Sequence, residues 1–587
     1  INNQDINTVI IISDRTVIDG QLAAELKNVD GAKGVAKHID TTSKQLLKML
    51  GDGGYIIVTT LQKFRPILDE IKRIENRNYA IIIDEAHSST AGKSMSKASE
   101  TLTGKSLKDA AEIDAVYEEL EDDQNQILKN AAVIRATNNV SYFAFTATPK
   151  KETMELFGTR TEQGKSYFDK YSMKQAIEER YIINPLLCYT NYSDKYEIKK
   201  KKDDESEYES SKAQAAILNF VTTTPEVIET KVQIMMDDFI EKRINWLGGK
   251  AKAMIVTPSR KHAVCYKLAV DRYLKKHGSA FRSCVAFTGT IELDGVKYTE
   301  EDMNKEFIER GIPYDIKAII KNHDDLRIII VADKLQTGFD ENKLCIMYVD
   351  KKLGSAVKAV QTLSRLNRPE KNKHTFILDF VNKADEIKAY FVEYYGGEIY
   401  LPMENEMDPN ILFIKRDRIV DYGVIDLLEA QKLYDLIADS DSNAGTITAT
   451  IASIRLAFDK LDQEKQRLFV AELKKFTQLF YYISAVYNSW NEDMKRLAIV
   501  FDVLYNVLFE KEVIPAIDAE DLIELVEFST KIVYEDLTIE LEAKELAFEP
   551  ASTYVTLSEQ TFSLIDEIIE KFNLRYANAE QELQTIV

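Results

Sequence analysis

Short apolar runs that end in polar residues recur along the first two thirds of the chain. They are VIIIS at 9–13, YIIVT at 55–59, the run that closes with IIIDEAH at 81–87, and YFAFTATPK at 142–150. Each is too short and too evenly apolar for an amphipathic helix, and reads as a buried strand. Strands alternating with helical stretches predict a parallel sheet with right-handed crossovers. The pattern restarts at NPLLCYTNY (184–192). It continues through KAMIVTPSR (252–260), SCVAFTGT (283–290), RIIIVADKLQTGFDEN (327–342), LCIMYVDKK (344–352) and TFILDF (375–380), which predicts a second α/β sheet of similar size. Inside that unit, KYEIKKKKDDESEYESSK reads as an exposed hairpin or loop, and Pro225 after Thr223 and Thr224 opens a helix at a permitted first-turn position. Beyond residue 400 the period becomes helical, most clearly over 451–486 and 491–512, where Leu468, Leu473, Phe476, Leu479 and Phe480 share a face. Turn signals and strand alternation are sparse there, so the third part is predicted all-helical, with Phe480, Tyr481, Tyr482, Tyr487 and Trp490 serving as core.

Composition adds one boundary. The 587 residues are 45% hydrophobic and 29% charged, as in ordinary globular chains, and no apolar run reaches the length of a membrane span. The net charge of −20 is uneven: from 381 onward 19 Lys and Arg face 40 Asp and Glu, which leaves the first 380 residues close to neutral. The acidity therefore does not exclude a nucleic-acid groove in the first two thirds. Cys188, Cys265, Cys284 and Cys345 match no metal-ligand spacing and read as reduced core residues. The chain opens on Ile1 close to a strand, with no signal-peptide pattern, and is expected to start inside a domain.

The candidate chemistry sits at strand ends. In open α/β sheets ligands bind outside the carboxyl ends of the strands. Asp84 and Glu85 follow an apolar strand, where one carboxylate can hold Mg²⁺ through water and the other can orient and deprotonate an attacking water. Read alone, four letters are a strand that ends in a solvated acidic turn. TAT at 146–148, the acidic TGFDEN loop and QTLSRLNR at 361–368 change that balance. Arg365 and Arg368 are three residues apart and share a face on a helix, with Gln361 one turn before. Two sheets that present such loops suit a nucleotide hydrolase split across two domains.

These segments, in this order, resemble a superfamily 2 ATPase motor. Within that group the chain is similar to the restriction (R) subunit of type I restriction-modification enzymes. IIISDRTVIDGQL, IIVTTLQKF, IIIDEAH and FAFTATPK carry the resemblance in the first domain. IIIVADKLQTGFDEN, VDKKLGSAVKAVQTLSRLNRPEKNKH and FILDFVN carry it in the second, with FDKYSMKQAIEERYIINPLLCY as the bridge. The resemblance implies an α/β fold of two RecA-like parallel-sheet domains, residues 1–180 and 181–400, followed by an all-α domain at 401–587 that docks on the methyltransferase. It implies ATP and Mg²⁺, with Asp84 as the metal residue, Glu85 as catalytic base, and Arg365 and Arg368 as arginine fingers supplied in cis. His87 and Gln361 would link nucleotide to motion, and Thr146 and Thr148 would couple hydrolysis to DNA binding. Gly338 and Asp340 would lie near the nucleotide. Arg15, Thr60, Gln62, Ser259, Arg260 and Thr337 would contact the backbone of double-stranded DNA without reading its sequence. Partners would be the methyltransferase and specificity subunits of the same system, in the cytoplasm of a bacterium or archaeon, with no membrane.

Two departures shape the expected activity. No G-x-x-x-x-G-K-[ST] pattern is present, since the GKS at 92–94 and at 104–106 have His87 and Ser99 in the leading-glycine positions. No Asp…Glu-x-Lys nuclease constellation is found either. The chain is therefore expected to be a fragment of the motor that lacks DNA cleavage and turns over ATP weakly or not at all. Two other readings stay open: another superfamily 2 helicase or translocase, of type III restriction or repair type, and a non-catalytic assembly module.

Overall fold

A computed structural model describes residues 6–13, 36–38, 56–60, 78–83, 140–149 and, with breaks, 153–577. The first sheet holds β1 (Thr8–Ser13), β2 (Ala36–His38), β3 (Ile56–Thr60), β4 (Tyr79–Ile83) and β5 (Val140–Ala144) in the order β2-β3-β1-β4-β5. All four pairings are parallel. Ile10, Ile57, Val58 and Ile81, β-branched residues that favour strands, are buried. Ile81, Ile82 and Ile83, the apolar part of IIIDEAH, thus close an interior strand, β4, flanked by β1 and β5.

The chain then makes a short hairpin, β6 (Thr159–Thr161) and β7 (Gly164–Ser166), and enters the second sheet through β8 (Tyr189–Lys200). That sheet adds β10 (Lys252–Val256), β11 (Arg282–Ala286), β14 (Leu326–Val331), β15 (Leu344–Val349), β16 (Phe376–Asp379) and β18 (Ile523–Leu537), in the order β11-β14-β10-β15-β16-β8-β18. Every residue of β10, β14, β15 and β16 is buried. Six strands are parallel, and β18 closes the edge antiparallel to β8. The helices that matter below are α1 (Ser210–Thr223), α2 (Pro225–Asp238), α3 (Arg260–Lys276) and α4 (Ala356–Leu363). Pro225 stands at the start of α2, as its sequence position predicts. An antiparallel hairpin, β12 (Thr290–Leu293) with β13 (Val296–Thr299), follows β11.

The charged run at 195–212 corrects the expectation of an exposed hairpin. It is the outer half of β8, then β9 (Glu207–Glu209) and the start of α1. Tyr196 and Ile198 are buried there because β18 covers the edge of β8. The lysines are met by acidic partners from the far end of the chain. Lys199 pairs with Glu524 at 3.4 Å, Lys200 with Asp566 at 2.8 Å, and Lys201 donates to the Glu520 carbonyl at 3.1 Å.

The all-helical expectation holds for the bundle α5 (Ile411–Asp421), α6 (Leu427–Ala438), α7 (Ala444–Phe458), α8 (Gln463–Tyr487) and α9 (Glu492–Leu508). Phe469, Leu473, Phe476, Phe480 and Phe501 are at its core, with Phe476 and Phe501 edge to face at 5.0 Å. Side chains of Tyr482, Tyr487 and Trp490 lie outside the described residues. Beyond 519 the expectation fails, because the chain returns to the second sheet as β18, then β19 (Leu546–Ala547), β20 (Phe562–Leu564) and α10 (Ile565–Ala577). VEFSTKIVYEDL alternates in a strand period, but with charges on its outer face it does not read as a buried strand. A four-stranded sheet, β19-β17-β7-β6, gathers the hairpin from the first domain, the exit to the bundle at β17 (Ile399–Leu401), and the returning chain. Contact there is close: a Cβ on Gly397 would stand 1.4 Å from the Lys544 carbonyl oxygen.

Candidate functional site

The first half of the predicted site ends where β4 ends. Phe145 N donates to Ile83 O at 2.9 Å, one step beyond the β4–β5 ladder. That bond sets the Thr146–Thr148 turn beside the carboxyl end of β4. Thr146 Oγ1 accepts from Thr148 N at 3.1 Å. Thr148 is fully buried, and its own hydroxyl has no partner among the described residues. Asp84, Glu85, His87, Arg15, Gln62, Thr337 and Gly338 lie outside the described residues, and of Thr60 only its backbone place at the end of β3 is described.

The second half is built around α4. Ser355 caps it through its side chain, which accepts from Lys358 N. The helix stops at Leu363, and Ser364–Leu366 form one 3-10 turn, so Arg365 and Arg368 do not share a helix face as expected. They converge on one loop all the same. Arg365 donates from Nε to Gln361 O at 3.0 Å and from Nη1 to Phe339 O at 2.9 Å. Arg368 pairs through Nε with Asp340 Oδ1 at 3.0 Å, with side chains 42% and 60% exposed. An exposed pair of this kind is worth about 0–1 kcal/mol, so little holds Arg368 away from a competing phosphate. Lys373 Nζ donates to Arg368 O at 2.8 Å and fixes its backbone. Burial pushes that ammonium down to about 8.

The loop after β14 is held under constraint. Asp333 and Leu335 have φ of 57° and 68°, left-handed values that cost non-glycine residues energy and mark functional segments when the surroundings enforce them. Lys334 grips Glu300 at 2.7 Å, and Lys351 pairs with Asp333. The FILDFVN segment explains how the opposite wall is fixed. Asp379 is fully buried and accepts from Tyr189 Oη at 2.9 Å and from the Val381 and Asn382 N–H groups at 2.8 Å each. Asn382 accepts from Leu353 N and donates to Lys351 O, both at 2.8 Å, which ties β16 to the loop that leads into α4. Burial raises the Asp379 carboxyl to about 6, against the lowering effect of its own hydrogen bonds. Nothing in the local pattern of FILDFVN assigns Asp379 and Asn382 this bracing role, because their partners are distant in sequence.

At the same edge, Ser259 caps α3, and Arg260 Nη1 donates to Thr288 O at 3.1 Å. Gly289, at φ 81°, leaves room for that guanidinium, since a Cβ would lie 3.1 Å from Nη1. Below them Lys231 is buried between Asp194 and Asp350 at 2.6 Å each, with Tyr266 Oη on Asp350 at 2.7 Å. Burial alone would lower the lysine, but the two carboxylates outweigh it and hold it well above its usual range.

Six buried side-chain polar atoms among the described residues lack a hydrogen-bond partner, and three of them are Thr148 Oγ1, Gln336 Nε2 and Ser364 Oγ. An unmade bond of this kind costs about 1–3 kcal/mol. These three fall in the TAT, TGFDEN-side and QTLSRLNR segments, and the other three, on Thr8, Asp194 and Thr530, lie outside them.

Comparison with known proteins finds two family matches over separate stretches of the chain. Residues 1–216 match the SWI2/SNF2 ATPase family, and residues 280–382 match type I restriction enzyme subunit R domain 3. The chain is related to the R subunits of type I restriction enzymes. That R-subunit match contains Asp340, Gln361, Arg365, Arg368, Asp379 and Asn382. The MjaIXP type I restriction endonuclease subunit of Methanocaldococcus jannaschii is 23% identical over 632 aligned positions, covering 99% of this chain and 55% of that protein. The HindI endonuclease subunit of Haemophilus influenzae is 25% identical over 420, covering 66% and 35%. The chain thus spans about half the length, or less, of these R-subunit relatives. An HsdR-subunit fragment from Vibrio vulnificus YJ016 superposes at a TM-score of 0.36 with 13% identity over 64% of this chain and 53% of that one, too loosely to add to the reading. No described helix is long and apolar enough to cross a membrane.

Proposed function

We propose that this chain is the motor portion of a type I restriction R subunit, which uses ATP hydrolysis to move duplex DNA before cleavage. The observation that carries the reading is the convergence of Arg365 and Arg368 on the Phe339–Asp340 loop at the carboxyl edge of the second sheet. Thr148 Oγ1, Gln336 Nε2 and Ser364 Oγ, buried without a partner among the described residues of the same segments, fit contact with a polar ligand. When bound, ATP with Mg²⁺ supplies the transferable phosphoryl group and neutralises its charge. Arg368 exchanges its exposed Asp340 partner for phosphate, while Arg365 keeps the loop and the turn together. Asp84 and Glu85 act as metal residue and base, Gln361 and His87 report the nucleotide state, and Gly338 lies against it. Thr146 and Thr148 link β5 to the DNA side. Arg15, Thr60, Gln62, Ser259, Arg260 and Thr337 track the DNA backbone. The bundle docks on the methyltransferase through exposed apolar side chains such as Ile414, Leu428 and Leu456. Residues 1–587 alone cleave no DNA, since they carry no Asp…Glu-x-Lys constellation, and turn over ATP weakly or not at all, since they contain no phosphate-loop pattern.

The test uses the intact subunit assembled with its methyltransferase and specificity partners. Arg368→Ala should lower DNA-stimulated ATP turnover by about 10³-fold or more, as loss of an arginine finger does, with assembly unchanged. Turnover within twofold of the wild type would remove Arg368 from the reaction.

A further inference from the structure

His262 takes no part in the site so far, yet it is bound at both ring nitrogens in the interior. Its Nε2 lies 2.9 Å from Thr222 Oγ1, and its Nδ1 lies 2.8 Å from Ser259 Oγ. The proton positions follow from the neighbours. Thr222 Oγ1 sits 2.6 Å from Leu218 O and 3.3 Å from Asn219 O, so its single proton goes to a carbonyl. It can then only accept from the ring, which puts the ring proton on Nε2. The ring stays neutral, since burial and the nearby Lys231 and Lys261 lower it to about 3. Nδ1 is therefore an acceptor, and the Ser259 hydroxyl spends its proton on it. The same oxygen accepts from His262 N at 3.4 Å as the cap of α3.

Ser259 is thus not the phosphate donor that its position suggested, because its proton points inward. Its backbone turn is what reaches the edge. Thr257 Oγ1 donates toward Ser259 O at 3.2 Å or Val331 O at 3.0 Å, and Arg260 leans on Thr288 O. His262 is the piece that pins this turn to the end of α1.

We propose that His262 is a positioning residue for the DNA-phosphate contact of the Ser259–Arg260 turn, acting through the Nδ1 acceptor that holds Ser259 inward. This rests on the reading above that the Ser259–Arg260 turn meets the DNA backbone. The contact is then made by Arg260 and by the turn's backbone, with Ser259 as an internal strut.

Two amide substitutions separate this role from mere filling of space. Asparagine can place an oxygen near the Nδ1 position, and glutamine can place its amide near Nε2. The measurement is the affinity of the whole chain for a random-sequence duplex as a function of salt. Each phosphate contact contributes about 0.9 to the slope of log K against log salt. His262→Gln is expected to lower that slope by about 1, His262→Asn to restore the wild-type slope, and His262→Gln to add nothing in an Arg260→Ala background. A lower folded fraction changes the apparent amount bound but not the slope. If His262→Gln does not fold, Thr222→Val leaves the Nε2 proton without an acceptor, so the proton moves to Nδ1, the acceptor that holds Ser259 is lost, and the same loss of slope is expected. A wild-type slope in His262→Gln or in Thr222→Val overturns the proposal while leaving the DNA reading intact. A wild-type chain whose duplex binding shows no salt dependence overturns the DNA reading itself, and this proposal with it.

Discussion

The helical bundle and the segment that follows it differ in charge and in where they bury their apolar side chains: 411–508 carry 12 Lys and Arg against 14 Asp and Glu, whereas 519–577 carry 4 against 14. Residues 411–508 bury their aromatic residues against one another. Residues 519–577 bury theirs against β8 and α1, in a core that mixes Tyr196, Ile198, Ile217 and Val221 with Leu522, Ile523, Ile569 and Phe572. One is a unit on its own terms, and the other is a missing edge of the second sheet. Asn573 makes the point at atomic scale, since its side-chain amide accepts from Ile198 N at 2.9 Å and donates to Ile198 O at 2.8 Å. Composition marked where the acidity begins. Strand pairing decides where the domain ends.

The comparison can be broken most directly by cutting the chain. Ending it at residue 510 should leave the second sheet without β18 and α10, expose the Tyr196–Ile217 core, and abolish cooperative unfolding of that domain. Replacing 411–508 by a flexible linker should instead leave the sheet's transition in place. Circular dichroism and calorimetry on both deletions decide it, and equal damage from both would mean that bundle and edge strand are one unit.

A second effect belongs to the sheet alone. The Asp379 carboxyl is raised to about 6 in the folded protein, from an ordinary value of 3.8, chiefly by burial. A raised acid contributes stability that is complete below the unfolded value and lost as pH rises through the folded one. The wild-type sheet should therefore lose about 3 kcal/mol between pH 3.8 and 6 that Asp379→Asn does not lose, with no further difference above that range. The bundle, which does not contain this group, should show no such difference between the two proteins.

The smallest effect sharpens the role of the lysine run. Lys200→Ala removes a pair whose aspartate is largely exposed, and should cost the second domain roughly 0–1 kcal/mol in denaturant titration. A loss of several kcal/mol would mean that charge, and not apolar burial, holds the returning segment on β8.

Much of this protein is determined by its sequence. Runs such as VIIIS, YAIII and LRIIIV can be satisfied only as buried parallel strands, so the two α/β sheets and the strand-end placement of TAT and QTLSRLNR follow from local pattern. Arg365 and Arg368 were legible as a pair because spacing is local. The tertiary structure alone decided what those groups touch. It set the Ser259 hydroxyl 2.8 Å from His262 Nδ1, placed both arginines on Phe339 and Asp340 across a broken helix, and made Asp379 and Asn382 the brace of α4. It also turned a lysine-rich run into a strand, because the partner that covers it lies more than 300 residues away. Period and propensity act over a few residues, whereas burial and hydrogen-bond partners are set by whichever segment the fold brings alongside.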